Sequence, residues 1–350
     1  MESNNWAESL LSSKPLDQVI ADGVLSAQAL NVPTAPASDQ AQGALWAHLN
    51  QDLPQMHVGR GQRYGNLTWF PVFTDAPIKA REYVTITEPG QVSVAEGSSP
   101  EVGFLEISNK GQKPVLLLEG TLLEGGWQHR ALTRTVLIGA NVSTILPVVC
   151  VEAGRWGGDA NQRIGVKTAP ARVRKAIRGM RKSADGTYLQ SYANQSDVWH
   201  EVSNFATNTN KMRPTQSLVE MADENAIDTA ALKLEKPKPI FGQRGVLVAV
   251  AGSPLALEVF DHPDTLAERL ESILDAYLPE SLAKPFVACK SQLARDFVYR
   301  VETIGVEPTD VEERMRNRPD KYVAAEAVTN LGELLHISAL NAQHELVSAL

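Results

Sequence analysis

The sequence predicts an α+β protein, in which an antiparallel β-sandwich or barrel-like sheet carries helices packed against it. Three observations lead there. Between residues 66 and 152, short runs rich in β-branched, aliphatic and aromatic residues recur, and Gly, Pro, Asn or Ser clusters separate them as strands and turns require. A basic stretch, PARVRKAIRGMRK, then opens on Pro170, whose missing N–H costs nothing in a first helical turn. Further on, DHPDTLAERLESILDAYL places Leu266, Leu270, Ile273, Leu274 and Tyr277 at helical spacing behind an acidic, proline-bearing start.

In chain order, residues 1–50 read as an N-terminal helical appendage and linker, because NVPTAPASDQAQG is too polar and proline-rich to pack. One large α+β domain is expected over 51–350, strand-rich at 51–157, helical at 165–235, and a hairpin plus helices at 245–350. The strand candidates are NLTWFPVF, EYVTITE, QVSVAE, GFLEIS, PVLLLEG, RTVLIGA and TILPVVCVE. In the basic helix Val173, Ile177 and Met180 form a narrow apolar stripe, and a charged, exposed face is the ordinary meaning of the rest. A second helix is expected around SDVWHEVSNFA. GVLVAVAGSPLALEVF then predicts two strands joined at Gly252, Ser253 and Pro254. Another helix is expected over 281–300, and short apolar pieces ending in LLHISAL close the chain.

The 350 residues carry a formal net charge of -8, so no chain-wide positive field draws in nucleic acid or an anionic membrane. The two cysteines, Cys150 and Cys289, lie in apolar-leaning stretches, which argues against a disulfide framework and for a reducing, cytoplasmic setting. The start has acidic and polar residues where a secretion signal needs basic and then apolar ones. The longest apolar run, Val246 to Phe260, is interrupted at 252–254 and falls short of the roughly 20 residues of a spanning helix.

The chemistry concentrates in LLEGGWQHRALTRTVLIGANVSTILPVVCVEAGRWGG, which begins at Leu122. A hairpin centred near Asn141 sets Arg130 opposite Glu152, with Gln128 on the face of Arg130. Glu124, Gly125 and Gly126 before the first strand then meet Arg155 and Trp156 after the second. Two guanidinium groups, Arg130 and Arg155, suit phosphate or carboxylate; Gln128 suits a polar edge; Trp156 or Trp127 suits a nucleobase; Glu152 is the candidate base. Each has a plainer reading. Gly125 and Gly126 serve equally as a positive-φ turn, Arg130 and Glu152 as a cross-strand ion pair, Trp156 as core, and Cys150 as a buried hydrophobe. His57, His262 and His336 read as structural, and the sequence assigns neither a metal site nor a cofactor. The run Gly-Arg-Gly-Gln-Arg at 59–63 reads as a solvated loop, with anion binding as its alternative.

The patterns E-G-x-L-x-x-G-G-x-Q-x-R at 119–130 and P-V-x-C-V-E-x-G-R-W at 147–156 resemble the ADP-ribosylglycohydrolase and rhodanese-phosphatase associated protein domain family, a domain of unknown function. The strand pair and helix at 245–278 and H-I-S-A-L near the end add to the resemblance, which spans about residues 50–345. His129 departs from the family pattern, which commonly has Asn there, so no role needing an amide at that position is carried over. The resemblance implies, by association, a ligand of the ADP-ribose or NAD type and supplies no reaction. The resulting expectation is binding, with processing by Glu152 if there is catalysis, at a site of Glu124, Gly125, Gly126, Gln128, Arg130, Arg155 and Trp156. The alternative is a non-catalytic interaction or scaffold protein that docks a partner protein through the basic helix 170–182. Nucleic acid and membrane are not expected partners.

Overall fold

The computed structural model describes residues 53–97, 101–224, 234–311 and 313–348; the expected appendage at 1–50 lies outside them. The first half runs β1 (Met56–Val58), β2 (Gln62–Tyr64), β3 (Leu67–Thr74), β4 (Val92–Ala95), β5 (Phe104–Asn109), β6 (Val115–Leu117), β7 (Thr121–Gly125), β8 (Arg130–Leu132), β9 (Val136–Ile138), β10 (Val142–Cys150) and β11 (Asn161–Thr168). Then come helix α1 (Ala171–Ile177), the small pair β12 (Arg181–Lys182) and β13 (Tyr188–Leu189), α2 (Gln195–Thr209) and α3 (Leu218–Glu224). The last part is β14 (Gly245–Val250), β15 (Ser253–Phe260), α4 (Pro263–Leu282), α5 (Ser291–Thr303), β16 (Glu307–Pro308), β17 (Arg314–Arg316), β18 (Val323–Asn330), β19 (Glu333–Asn341) and α6 (Glu345–Ser348).

The fold is α+β, and its strands form two principal sheets. A nine-stranded antiparallel sheet runs β1-β3-β14-β15-β19-β18-β17-β16, with β2 on β3; β10-β5-β4-β11-β7-β8 close into a six-stranded barrel. Of the two architectures expected, the barrel is present. Alternate residues of its strands, Val94, Leu105, Ile107, Leu123, Leu146 and Val148, form one apolar cluster inside it. The opposite faces of the same strands, through Leu122, Ala131 and Val149, pack against α1, α2 and α3. The large sheet is covered on both sides: α4 packs on the face of Val246, Val248 and Phe260, and α5 on that of Leu247, Ala249 and Leu257. Burial on both faces is why GVLVAV reads as a continuous apolar run and not as an alternation.

The sequence signals hold for α4 and depart elsewhere for identifiable reasons. His262 caps α4 by accepting the Asp264 N–H through Nδ1 at 3.1 Å, Pro263 takes the first turn, and the five expected apolar positions are buried. The β14–β15 turn is Ala251-Gly252, with φ of 49° and 80°, so Ser253 and Pro254 already belong to the second strand. The helix expected over 281–300 begins at Ser291: Leu282 ends α4, and Pro285 forces the residue before it out of the helical region. EYVTITE forms no strand; Val84 makes an isolated bridge to Val115. No described helix is long and apolar enough to cross a membrane.

Candidate functional site

The two sequence patterns do meet, at one end of the barrel, but in a different register. Arg130 pairs with Cys150, Ala131 with Val149 and Leu132 with Val148, two residues offset from the hairpin expected about Asn141. The strand breaks at 133–135, and β9 leaves to pair with β6, so the hairpin is not continuous. Consequently the expected Arg130–Glu152 ion pair is not made. Arg130 shares the inward face of Leu132 and lies inside the barrel, 2% exposed, with Nη2 3.5 Å from Glu96 and Nη1 donating to Gln128 Oε1 at 2.9 Å. Gln128, fully buried, also accepts from the Cys150 thiol at 2.7 Å, donates to the Glu152 carbonyl at 3.2 Å, and its own carbonyl accepts from Gln162 at 3.0 Å. Arg130 Nε, Glu96 Oε1 and Gln162 Oε1 are buried with no hydrogen-bond partner among the described residues. Such atoms complement a group that accepts once and donates twice.

Outside this plug sits Glu152, also fully buried. Arg155 donates from Nε to both its oxygens at 3.0 Å, and Nη2 stands 2.7 Å from Oε2. The remaining donors of Arg155 go to the carbonyls of Gly126 (2.6 Å), Gly157 (3.2 Å) and Gly125 (3.2 Å). All five guanidinium hydrogens are therefore engaged, which corrects the expectation that Arg155 grips a phosphate. The glycine turn is corrected too. Gly125 and Gly126 have φ of 95° and 62°; their carbonyls face Arg155, and the Gly126 N–H goes to Asn161 at 2.9 Å, so the turn offers no nest to an anion. A Cβ on Gly126 would stand 2.2 Å from the Gln162 amide. Burial raises the Glu152 pKa, but the Arg155 hydrogen bonds and the His129 N–H outweigh it, leaving the carboxyl below its ordinary range. An ion-paired carboxylate held there is a poor base by itself.

The group that Glu152 does hold is His129. The His129 backbone N–H donates to Glu152 Oε2 at 3.0 Å, and the ring Nδ1 lies 3.3 Å from the same oxygen and 2.7 Å from Ser217 Oγ. Ser217 accepts from the Glu220 N–H at 3.2 Å as it starts α3, so its oxygen orients the ring while capping a helix. The start of that helix is pinned to the barrel by Leu218 N–H on the Val151 carbonyl at 2.9 Å. With Nδ1 as the donor, Nε2 carries the lone pair, and it has no partner among the described residues. Burial depresses the His129 pKa against the pull of Glu152, so the imidazole is neutral and can accept a proton.

Two indoles flank this corner. Trp127 and Trp156 are 42% and 43% exposed, and the Gly157 N–H on the Trp127 carbonyl, 3.1 Å, ties their loops together. Trp156 stands edge-on to Trp199 at 6.2 Å and donates to the Ala153 carbonyl at 3.1 Å; it is not core. Glu124 is paired with the exposed Arg163 on the barrel rim and makes no hydrogen bond to His129 among the described residues. Cys150 is buried inside the barrel, and burial first of all lifts its thiol to about 12, which rules out a ready nucleophile.

The basic helix differs most from expectation. Arg172, Arg174, Lys175 and Arg178 are all buried, and each meets a carboxylate: Arg172 with Glu201 and Glu280, Lys175 with Glu201, Arg174 with Glu119 and Glu258, Arg178 with Glu119. A partner cannot dock on charges that face inward, so this helix offers no docking face of the kind expected; only Arg181 and Lys182 past its end are exposed. His336 is buried against Glu258 at 2.8 Å and Thr135 at 3.2 Å, and His262 caps α4, both structural. His57 lies exposed on β1, and Gln62 and Arg63 of the 59–63 run enter β2. Among the described residues no three His, Cys, Asp or Glu converge as a metal site.

Ser217, Glu96 and Gln162 were not singled out from the sequence, and His129 was noted there without a functional role. Only His129 left a signal, as a departure inside a recognisable pattern; Ser217 and Glu96 arrive from 88 and 34 residues away in the chain. The comparisons with known proteins bear on the whole arrangement. No match was found among curated proteins or solved structures. The profile of ARPP-1, the ARG and Rhodanese-Phosphatase-superfamily-associated Protein domain, matches residues 55–340, from β1 to the end of β19, and the chain belongs to that family.

Proposed function

We propose that the chain binds a nucleotide-derived small molecule of the ADP-ribose or NAD type at the corner of residues 125–129 and 152–157, with His129 as the proton acceptor in any turnover. The observation that carries this reading is His129 itself. Its ring is fixed through Nδ1 by Glu152 and Ser217, Nε2 is left without a partner among the described residues, and the two segments that meet here each carry an exposed indole. Trp127 and Trp156 supply stacking for a planar base. Glu152, expected as the base, becomes the group that orients it. Arg130 and Arg155 do not serve phosphates, so the reading rests on the nucleoside end of the ligand, and the ADP-ribose association comes from the family's name alone.

Calorimetric titration of ADP-ribose and NAD into the full-length protein tests it. Binding that is lost in Trp127→Ala and Trp156→Ala, and whose pH profile changes in His129→Asn, supports the site; absence of binding by both ligands rejects it. A second reading, the non-catalytic interaction protein, is favoured by the inward engagement of Gln128, Arg130, Glu152 and Arg155, which makes the pattern a brace for the barrel end. Under it, the indole variants lose a protein partner and no small molecule.

A further inference from the structure

Where the β2–β3 turn meets the end of α4 a cleft of about 440 Å³ opens, on elements that take no part in the His129 corner. That volume falls within the roughly 300–1,000 Å³ of small-molecule sites. Its polar walls are fixed by bonds of their own. Gly65, at φ 58°, brings the turn so close to α4 that a Cβ there would stand 2.5 Å from Leu278, and the Tyr64 hydroxyl donates to Asp275 at 2.8 Å. Asn66 donates from Nδ2 to the Lys284 carbonyl at 2.8 Å, which leaves its Oδ1 with no partner among the described residues. Arg63, the last residue of the 59–63 run, donates from Nε to the Gly65 carbonyl at 2.7 Å and lies 4.0 Å over the Phe286 ring. Its Nη1 and Nη2 have no hydrogen-bond partner among the described residues.

Glu235 lines the same cleft and makes no ion pair among the described residues: its neighbour Lys236 goes instead to Glu271 at 2.9 Å, and Arg63 does not reach it. Leu234, packed against the core, and Leu282 complete the wall. A guanidinium fork, a carboxylate, an amide oxygen and two leucines together complement a molecule that carries a carboxylate, an ammonium and an apolar side chain. We propose that this cleft binds a free α-amino acid with an apolar side chain. The Arg63 fork takes the carboxylate, Glu235 and Asn66 Oδ1 accept from the ammonium, and Leu234 and Leu282 cover the side chain. Because the Gly65 carbonyl and the Phe286 ring already hold the guanidinium, little of its freedom is left to lose on binding.

L-Leucine, titrated into the full-length protein at pH 7 and constant ionic strength, tests the site, with leucinamide and 4-methylpentanoate as probes that lack the carboxylate and the ammonium in turn. Saturable binding of L-leucine is expected, and about tenfold or weaker binding of each truncated probe, the effect of one lost charge-assisted contact. Arg63→Met and Glu235→Gln should each weaken L-leucine by a similar factor. Both side chains are exposed, so the fold tolerates these changes, and Arg63→Lys, which keeps the charge without the fork, should bind between Arg63→Met and the parent. The proposal is overturned if L-leucine does not saturate, if either truncated probe binds as well as L-leucine, or if Arg63→Met and Glu235→Gln bind as the parent does. None of these results depends on the nucleotide reading.

Discussion

Arg155 holds both oxygens of Glu152 from a single nitrogen and closes its remaining donors on three glycine carbonyls, so one side chain fastens the segment after β10 to the turn after β7. Removing it in Arg155→Ala leaves a fully buried carboxylate without its cation, which costs about 3 kcal/mol. The midpoint of urea denaturation reads this. Arg155→Lys keeps the charge and loses the fork, and should fall between the two. A parent-like midpoint for Arg155→Ala would contradict the clamp.

Acid should unfold the protein through buried carboxylates of the large sheet. Burial pushes the pKa of Glu258 up, but Arg174 and His336 outweigh it and bring it to about 2; for Glu326, Arg314, Arg316 and Arg178 do the same. Both folded values lie below the unfolded one, so this stability is fully present above about pH 4.5 and is lost as pH falls from there toward 2. In a series of denaturant titrations, Glu258→Gln should be less stable than the parent at pH 7 and lose less of its stability between pH 5 and 3.

Neither thiol should react in the folded state. Burial lifts Cys150 to about 12 and Cys289 to about 11, and both side chains are enclosed. With Ellman's reagent at pH 8, the native protein should release almost no chromophore over minutes, and denatured protein two equivalents. Prompt reaction of one thiol in the native protein would show a barrel end more open than described.

Two arginines that follow the end of α1 by one and four residues, Arg178 and Arg181, should behave oppositely. Arg178→Ala strips Glu119 of a partner at 2.9 Å and uncovers the Ala324 carbonyl, so a loss of about 3–5 kcal/mol or failure to fold is expected. Arg181→Ala removes only an exposed pair with Asp197 and should shift stability by about 0.5 kcal/mol or less. Equal effects in thermal melts would refute the inward placement of the helix's charge.

Much of the fold was legible because it rests on local chemistry. The β14–β15 hairpin and α4 carry their apolar period, their turn glycine and their capping residues within single stretches, and both stand where the sequence puts them. The barrel was legible as strand content, and its closure was not, since strand order depends on long-range pairing such as β4 with β11. The meeting of Gly125, Gln128, Arg130, Glu152 and Arg155 was legible too, yet their partners were not. A bend that ends β10 at Cys150 hands Glu152 to His129 and Arg155, while Glu96 takes its place beside Arg130. The charge of α1 misled for a related reason: residue type shows that a side chain is cationic, and only the opposing Glu119, Glu201, Glu258 and Glu280 decide that it faces inward.

Arg174 touches Glu119 beside the barrel, Glu258 and Tyr277 on the large sheet and its helix, and Ser338 on the neighbouring strand. Because those partners come from four distant parts of the chain, neither half can be dehydrated correctly before the other arrives. Cutting the polypeptide between them would yield pieces that each expose a row of mismatched ions, and the intact chain should come apart all at once, like an arch losing its keystone.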